Sequence, residues 1–300
     1  MIRTMSKPQN RPVRSAGSAI LPSSVSQVGT ITKYELVNYF RSRRFFILLA
    51  IGLIISGILT GLVAYLGVSY VAPCPPKTCS SPALAFYSFW WGSSITFVIV
   101  LSGIFFGGDA ISGEFQNKTG YFLVGNPLRR SSIYIGKWLG ALTASLIVFA
   151  TYAAITVGNG LYYFGMNVPY QFTESLTFSI LYLIAVLGFT FFFSSLFKSS
   201  SMSILVTAIL FLFAFSLIQL IVAGLVQVEP WFIITYGSGI IGNVLIDPYP
   251  TTQPIRGAGP GGRDGMTFAA TVPEGIAILV VYFFATAILG LVLFERKEFT

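Results

Sequence analysis

The sequence predicts an all-α integral membrane protein: six transmembrane helices preceded by an amphipathic interfacial helix, with the N- and C-termini cytoplasmic. Three observations lead there. Of 300 residues, 54% are hydrophobic and 9% charged. An ordinary soluble domain carries about 25% charged residues, so polar side chains are too few here to cover a water-facing surface. Six apolar runs have close to the 20 or so residues that a helix needs to cross the hydrocarbon, and a helix satisfies its own backbone hydrogen bonds there. The 18 Lys and Arg residues fall one-sidedly between those runs.

Residues 1–30 are rich in Ser, Pro and Arg and lack the apolar stretch of a signal peptide, so a disordered cytoplasmic tail is expected. Residues 31–44 place Tyr34, Leu36, Val37 and Phe40 on one side of a helical wheel, with Glu35, Asn38 and Ser42 opposite. Arg41, Arg43 and Arg44 follow, as membrane-interface anchors whose long side chains reach lipid headgroups. The alternative is a frayed start to the first span.

The spans run over about 45–67, 84–107, 138–158, 176–197, 202–227 and 276–294. Phe86, Tyr87, Phe89, Trp90 and Trp91 are expected where a helix meets the interface. With the N-terminus inside, fifteen basic residues lie on the cytoplasmic side and three outside, Lys77, Arg256 and Arg263. That is a strong positive-inside bias, with Arg129, Arg130 and Lys137 as further interface anchors. The stretch 231–246 is short and holds Gly237, Gly239 and Gly242, so it reads as re-entrant or interfacial within an extracellular loop, 228–275. A seventh span would leave the charge count unchanged.

The composition also excludes chemistry. Histidine is absent, which removes His-ligated metal sites and His-based catalysis. The six runs contain no Asp, Glu, Lys or Arg, whereas ion-coupled carriers place such groups at mid-membrane. No G-x-x-x-x-G-K-[ST] loop occurs, and the glycine-rich 257–265 reads as a loop tip. The chain is therefore not expected to be an enzyme, nor to bind a cofactor or nucleic acid. Cys74 and Cys79, in the first outside loop, are a possible disulfide, with a two-thiolate metal site the weaker alternative. The pairs Gly57/Gly61, Gly103/Gly107 and Gly136/Gly140 permit close helix approach, within the chain or between two chains.

Gly107–Lys137 is the longest internal cytoplasmic loop, with a turn signal at Asn126-Pro127. Its residues Asp109, Ile111, Ser112, Glu114, Lys118, Thr119, Pro127, Arg129 and Lys137 resemble a pattern of the ABC-2-type transporter permeases. The tail FERKE (294–298) is similar to that family's ending, and the resemblance covers about 31–300. It implies the transmembrane subunit of an ATP-driven ABC transporter in the plasma membrane, an exporter more often than an importer. ATP and Mg would bind a separate ATP-binding subunit, and a second permease chain, identical or different, would complete the pathway within membrane lipid. The 109–126 loop would transmit ATPase closure, with Asp109, Glu114, Phe115, Lys118 and Thr119 as coupling candidates. The competing reading is a non-transporting membrane scaffold or assembly subunit.

Overall fold

In a computed structural model, residues 23–74, 81–118, 129–255 and 265–297 are described. The first helix, α1 (Ser24–Arg41), begins inside the segment expected to be a tail. Ser23 caps it, its hydroxyl accepting from Ser26 N–H at 3.3 Å. Ser42 breaks the helix with an extended backbone and caps α2 (Arg43–Leu66), so the interfacial helix feeds directly into the first apolar run.

Five more long apolar helices follow: α3 (Pro82–Gln116), α4 (Arg130–Phe164), α5 (Tyr170–Leu196), α6 (Ser200–Val226) and α9 (Val272–Arg296). With α2 they make six helices long and apolar enough to cross a membrane among the described residues. Most extend beyond the expected spans, because capping groups and polar turns continue the helix past the hydrocarbon-length core. A capping box at Thr271 and Glu274 starts α9. α3 contains π-helical turns at Ser88–Gly92 and Gly103–Gly107 and, after a turn at 108–111, ends in the single helical turn Ser112–Gln116. α6 carries two further π turns.

The core lies between α3, α4, α5 and α9. The most hydrophobic window of α3 is 67% buried, whereas that of α6 is 11% buried, so α6 lines the periphery. Phe86, Tyr87, Trp90 and Trp91 are fully buried against Phe149, Tyr152, Phe164 and Phe172. This corrects the expectation of an interface belt: protein rings, not lipid headgroups, enclose these four.

Glycines set the closest approaches. A Cβ on Gly136 would meet Ile31 at 2.8 Å, and one on Gly140 would meet Glu35 at 2.8 Å, so this pair seats α1 against α4. Gly103 and Gly107 seat Val186 and Thr190 of α5. Gly57 and Gly61 on α2 have open space beside them.

The stretch 231–246 forms two one-turn helices, α7 (Ile234–Gly237) and α8 (Ile240–Asn243), neither long enough to span. Ile234, Ile240 and Ile241 are fully buried, and Ser175 of α5 donates to Ile241 O at 2.6 Å. A short antiparallel hairpin, β1 (Gln253–Ile255) and β2 (Gly265–Thr267), follows. Cys74 is not a free thiol; Cys79 lies outside the described residues.

Candidate functional site

The turn Ser112–Gln116 is far too short to be stable alone. Its neighbours hold it. The N–H groups of Ile111 and Ser112 both donate to Ser194 Oγ of α5, at 2.9 and 3.0 Å. Glu114 is ion-paired at 2.8 Å with Lys137 of α4, whose ammonium also engages Glu35 of α1. Asp109 is ion-paired with Arg44 at the start of α2. At the far end of the turn, Gln116 Oε1 accepts from the N–H of Ser200, the first residue of α6, at 2.7 Å.

Phe115 completes the set. The ammonium of Lys297, just beyond α9, lies 4.2 Å from its ring centroid. Every long apolar helix therefore reaches residues 109–116: α3 by backbone continuity, α6 through the Ser200 N–H, and the others through a named side chain, with α1 joined indirectly through the Glu35–Lys137 pair. We call this the junction.

Within the junction the charges are unequally exposed. The side chain of Lys137 is 5% exposed, those of Glu35 and Glu114 15% and 20%. A buried ammonium is tolerated only when paired and hydrogen-bonded, and two carboxylates meet that requirement here. Below it Tyr39, buried among the same groups, donates to Phe106 O at 2.9 Å and stacks edge-on with Phe106. A polar cleft of about 270 Å³ opens beside these groups, lined in part by Glu35, Asn38, Arg44, Asp109, Asn117 and Lys137.

The sequence candidates thus divide. Asp109, Glu114 and Phe115 are engaged by the bundle itself. Gln116, Asn117 and Lys118 are exposed, and Lys118 has a left-handed backbone at φ 57°, which ends the turn. Thr119 and the rest of the loop to 126 lie outside the described residues. Of the basic residues expected at headgroup level, Arg41, Arg43 and Arg129 are exposed. Arg44 is committed to Asp109, and Lys137 is enclosed by protein. Arg130 Nη1 donates to the carbonyls of Glu295 and Lys297, at 2.7 and 3.1 Å.

Four junction residues escaped the sequence reading: Glu35, Ser194, Gln116 and Lys297. Glu35 looked like part of a solvated face. The available signal was a lone Lys at the mouth of an apolar run, which needs an acid from somewhere. Nothing local marks Ser194. Among the described residues, no group of three or more His, Cys, Asp or Glu forms a metal-holding cluster.

Six apolar helices joined at one end by a polar junction define a multi-pass membrane protein. Residues 29–299 match the family described as ABC-2 family transporter protein. The chain belongs to that family and is a transporter permease subunit; such subunits are non-catalytic, and membership implies pairing with an ATP-binding cassette subunit. No curated protein matches the chain significantly.

Proposed function

We propose that the chain is the permease subunit of an ATP-driven exporter, with both termini and the junction in the cytoplasm. The ATP-binding subunit, carrying ATP and Mg, docks under the loop that begins at Asp109. The observation that carries this reading is the convergence of all six apolar helices on residues 109–116, with α1 joined to them through Lys137. A displacement applied there reaches every span at once, which is what a chain without ionisable groups inside its apolar runs requires of an external motor.

In this reading Asp109, Glu114 and Phe115 transmit force inward, while Gln116, Asn117 and Lys118 offer the contact surface. The open face of α2 at Gly57 and Gly61 supports a second permease chain there, since small residues let helix backbones approach. Lipid covers the exposed apolar side chains of α6.

A single cysteine at position 117 tests the arrangement. N117C is expected to cross-link to the ATP-binding subunit, and an impermeant maleimide should label it in inverted vesicles only. Labelling from outside intact cells would overturn both the orientation and the docking site.

A further inference from the structure

The end of α9 has a role that the coupling reading does not assign. Lys297 leaves the helix in extended conformation, with φ −72° and ψ 120°, and turns back over the bundle. Its ammonium donates to three carbonyls at the end of α5: Ser195 at 2.9 Å, Leu196 at 3.4 Å and Phe197 at 2.8 Å. These are orphan acceptors, left unpaired because a helix has no further N–H groups to offer them, and a cation also suits the negative end of the helix dipole. The same ammonium lies over the Phe115 ring. Arg130 of α4 fixes the backbone on either side by donating to Glu295 O and Lys297 O.

We propose that Lys297 is a positioning residue that fastens the junction turn to the cytoplasmic ends of α5 and α9, so that these two helices move with it. The inference rests on the coupling role above. One group thereby ties three elements that are distant in sequence. A shorter or neutral side chain could cap the carbonyls or cover the ring, but could not supply charge to both.

The latch is expected to depend on pH. Burial first, and then the Lys198 ammonium in the turn after α5, push the Lys297 pKa down to about 8. Among the described residues, the other charges around it are Arg130 from α4, Glu114 beside Phe115 and engaged by Lys137, and its own neighbours Glu295 and Arg296; Glu298, next in sequence, lies outside the described residues. Below that pKa the ammonium serves three carbonyls and the ring. Above it the neutral amine keeps two N–H groups and loses the attraction to the ring, so the turn loosens as pH rises.

The test uses the full chain in lipid nanodiscs, with a spin label at N117C in a C74S/C79S background. At about pH 7, K297M should raise the ratio of mobile to immobile label about fivefold, the shift expected for losing one cation–π contact at a part-exposed site. K297R, which stays charged, should retain the immobile label. Raising pH to about 9.5 should mobilise the wild-type label with a midpoint near 8, and leave the K297R label unmoved because a guanidinium does not deprotonate there. Unchanged mobility in K297M, or a K297R curve that follows the wild-type one, would overturn the proposal. Retention of the ATP-binding subunit by the wild-type chain is scored separately. Its failure defeats the coupling reading, whereas intact retention with an unresponsive label defeats the latch alone.

Discussion

Replacing Lys137 by Met removes the cation that pairs with both Glu35 and Glu114. In the native chain its ammonium is 2.8 Å from Glu114 and paired also with Glu35, and the three side chains are 5%, 20% and 15% exposed. Met fills a similar volume, so the loss is electrostatic rather than a cavity. Removing one partner of a buried ion pair costs about 3–5 kcal/mol, because the remaining charge stays desolvated without compensation. Here two like charges remain, and the upper part of that range is expected at neutral pH. At roughly 2 °C per kcal/mol for a chain of this size, K137M should melt about 8–10 °C below the wild type in detergent. Adding E35Q and E114Q should recover most of the melting temperature, since neutral replacements of a whole buried ion cluster are often tolerated. A K137M chain that melts with the wild type, or a triple variant that melts no higher than K137M, would refute the account of the junction as a buried charge cluster.

Ser194→Ala leaves two buried N–H groups, on Ile111 and Ser112, without their acceptor; a cost of about 1–3 kcal/mol per orphaned group is expected. It should appear as a lower melting temperature and faster hydrogen exchange at 111–116, both restored by Thr. Gly107→Ala should destabilise the isolated chain, because a Cβ there meets Thr190 and Phe191, whereas Gly61→Ala meets nothing and should leave its melting temperature unchanged. Equal effects at the two positions would contradict the described packing of α3 on α5. The double replacement E114A/F115A should reduce co-purification of the ATP-binding subunit while leaving the six-helix bundle helical by circular dichroism; undiminished binding and turnover would remove these residues from the coupling path.

The spans were legible because each is written in one continuous stretch of sequence. Leu, Ile, Val and Phe runs of helix length need no tertiary information, and the glycine-punctuated 231–246 was correctly too short to continue as one helix. The start of α1 was less legible. Ser24–Thr30 is polar enough to read as tail, and it is helical because Gln27, Val28 and Ile31 pack along α4, with Arg129 N–H donating to Gln27 Oε1 at 3.3 Å. The junction was half visible. Asp109, Glu114 and Phe115 stood out as charges and a ring in a loop, but their partners lie far away in sequence: Glu35 is separated from Lys137 by 102 residues. Such pairings follow from helix packing, which no local spacing encodes. The four buried rings around Trp90 and Trp91 misled for the same reason, since a Trp against lipid and a Trp against Phe have the same sequence.

The junction turn has one further consequence. Five residues cannot hold a helix by themselves, so the turn persists only while the surrounding helix ends keep their relative positions. Any molecule that favours one arrangement of those ends must therefore change how tightly the turn is presented, and thermodynamic reciprocity makes the effect run both ways. If the turn couples to an ATP-binding subunit as proposed, cargo lodged between the spans would alter that subunit's affinity for nucleotide by the same factor with which nucleotide alters the affinity for cargo.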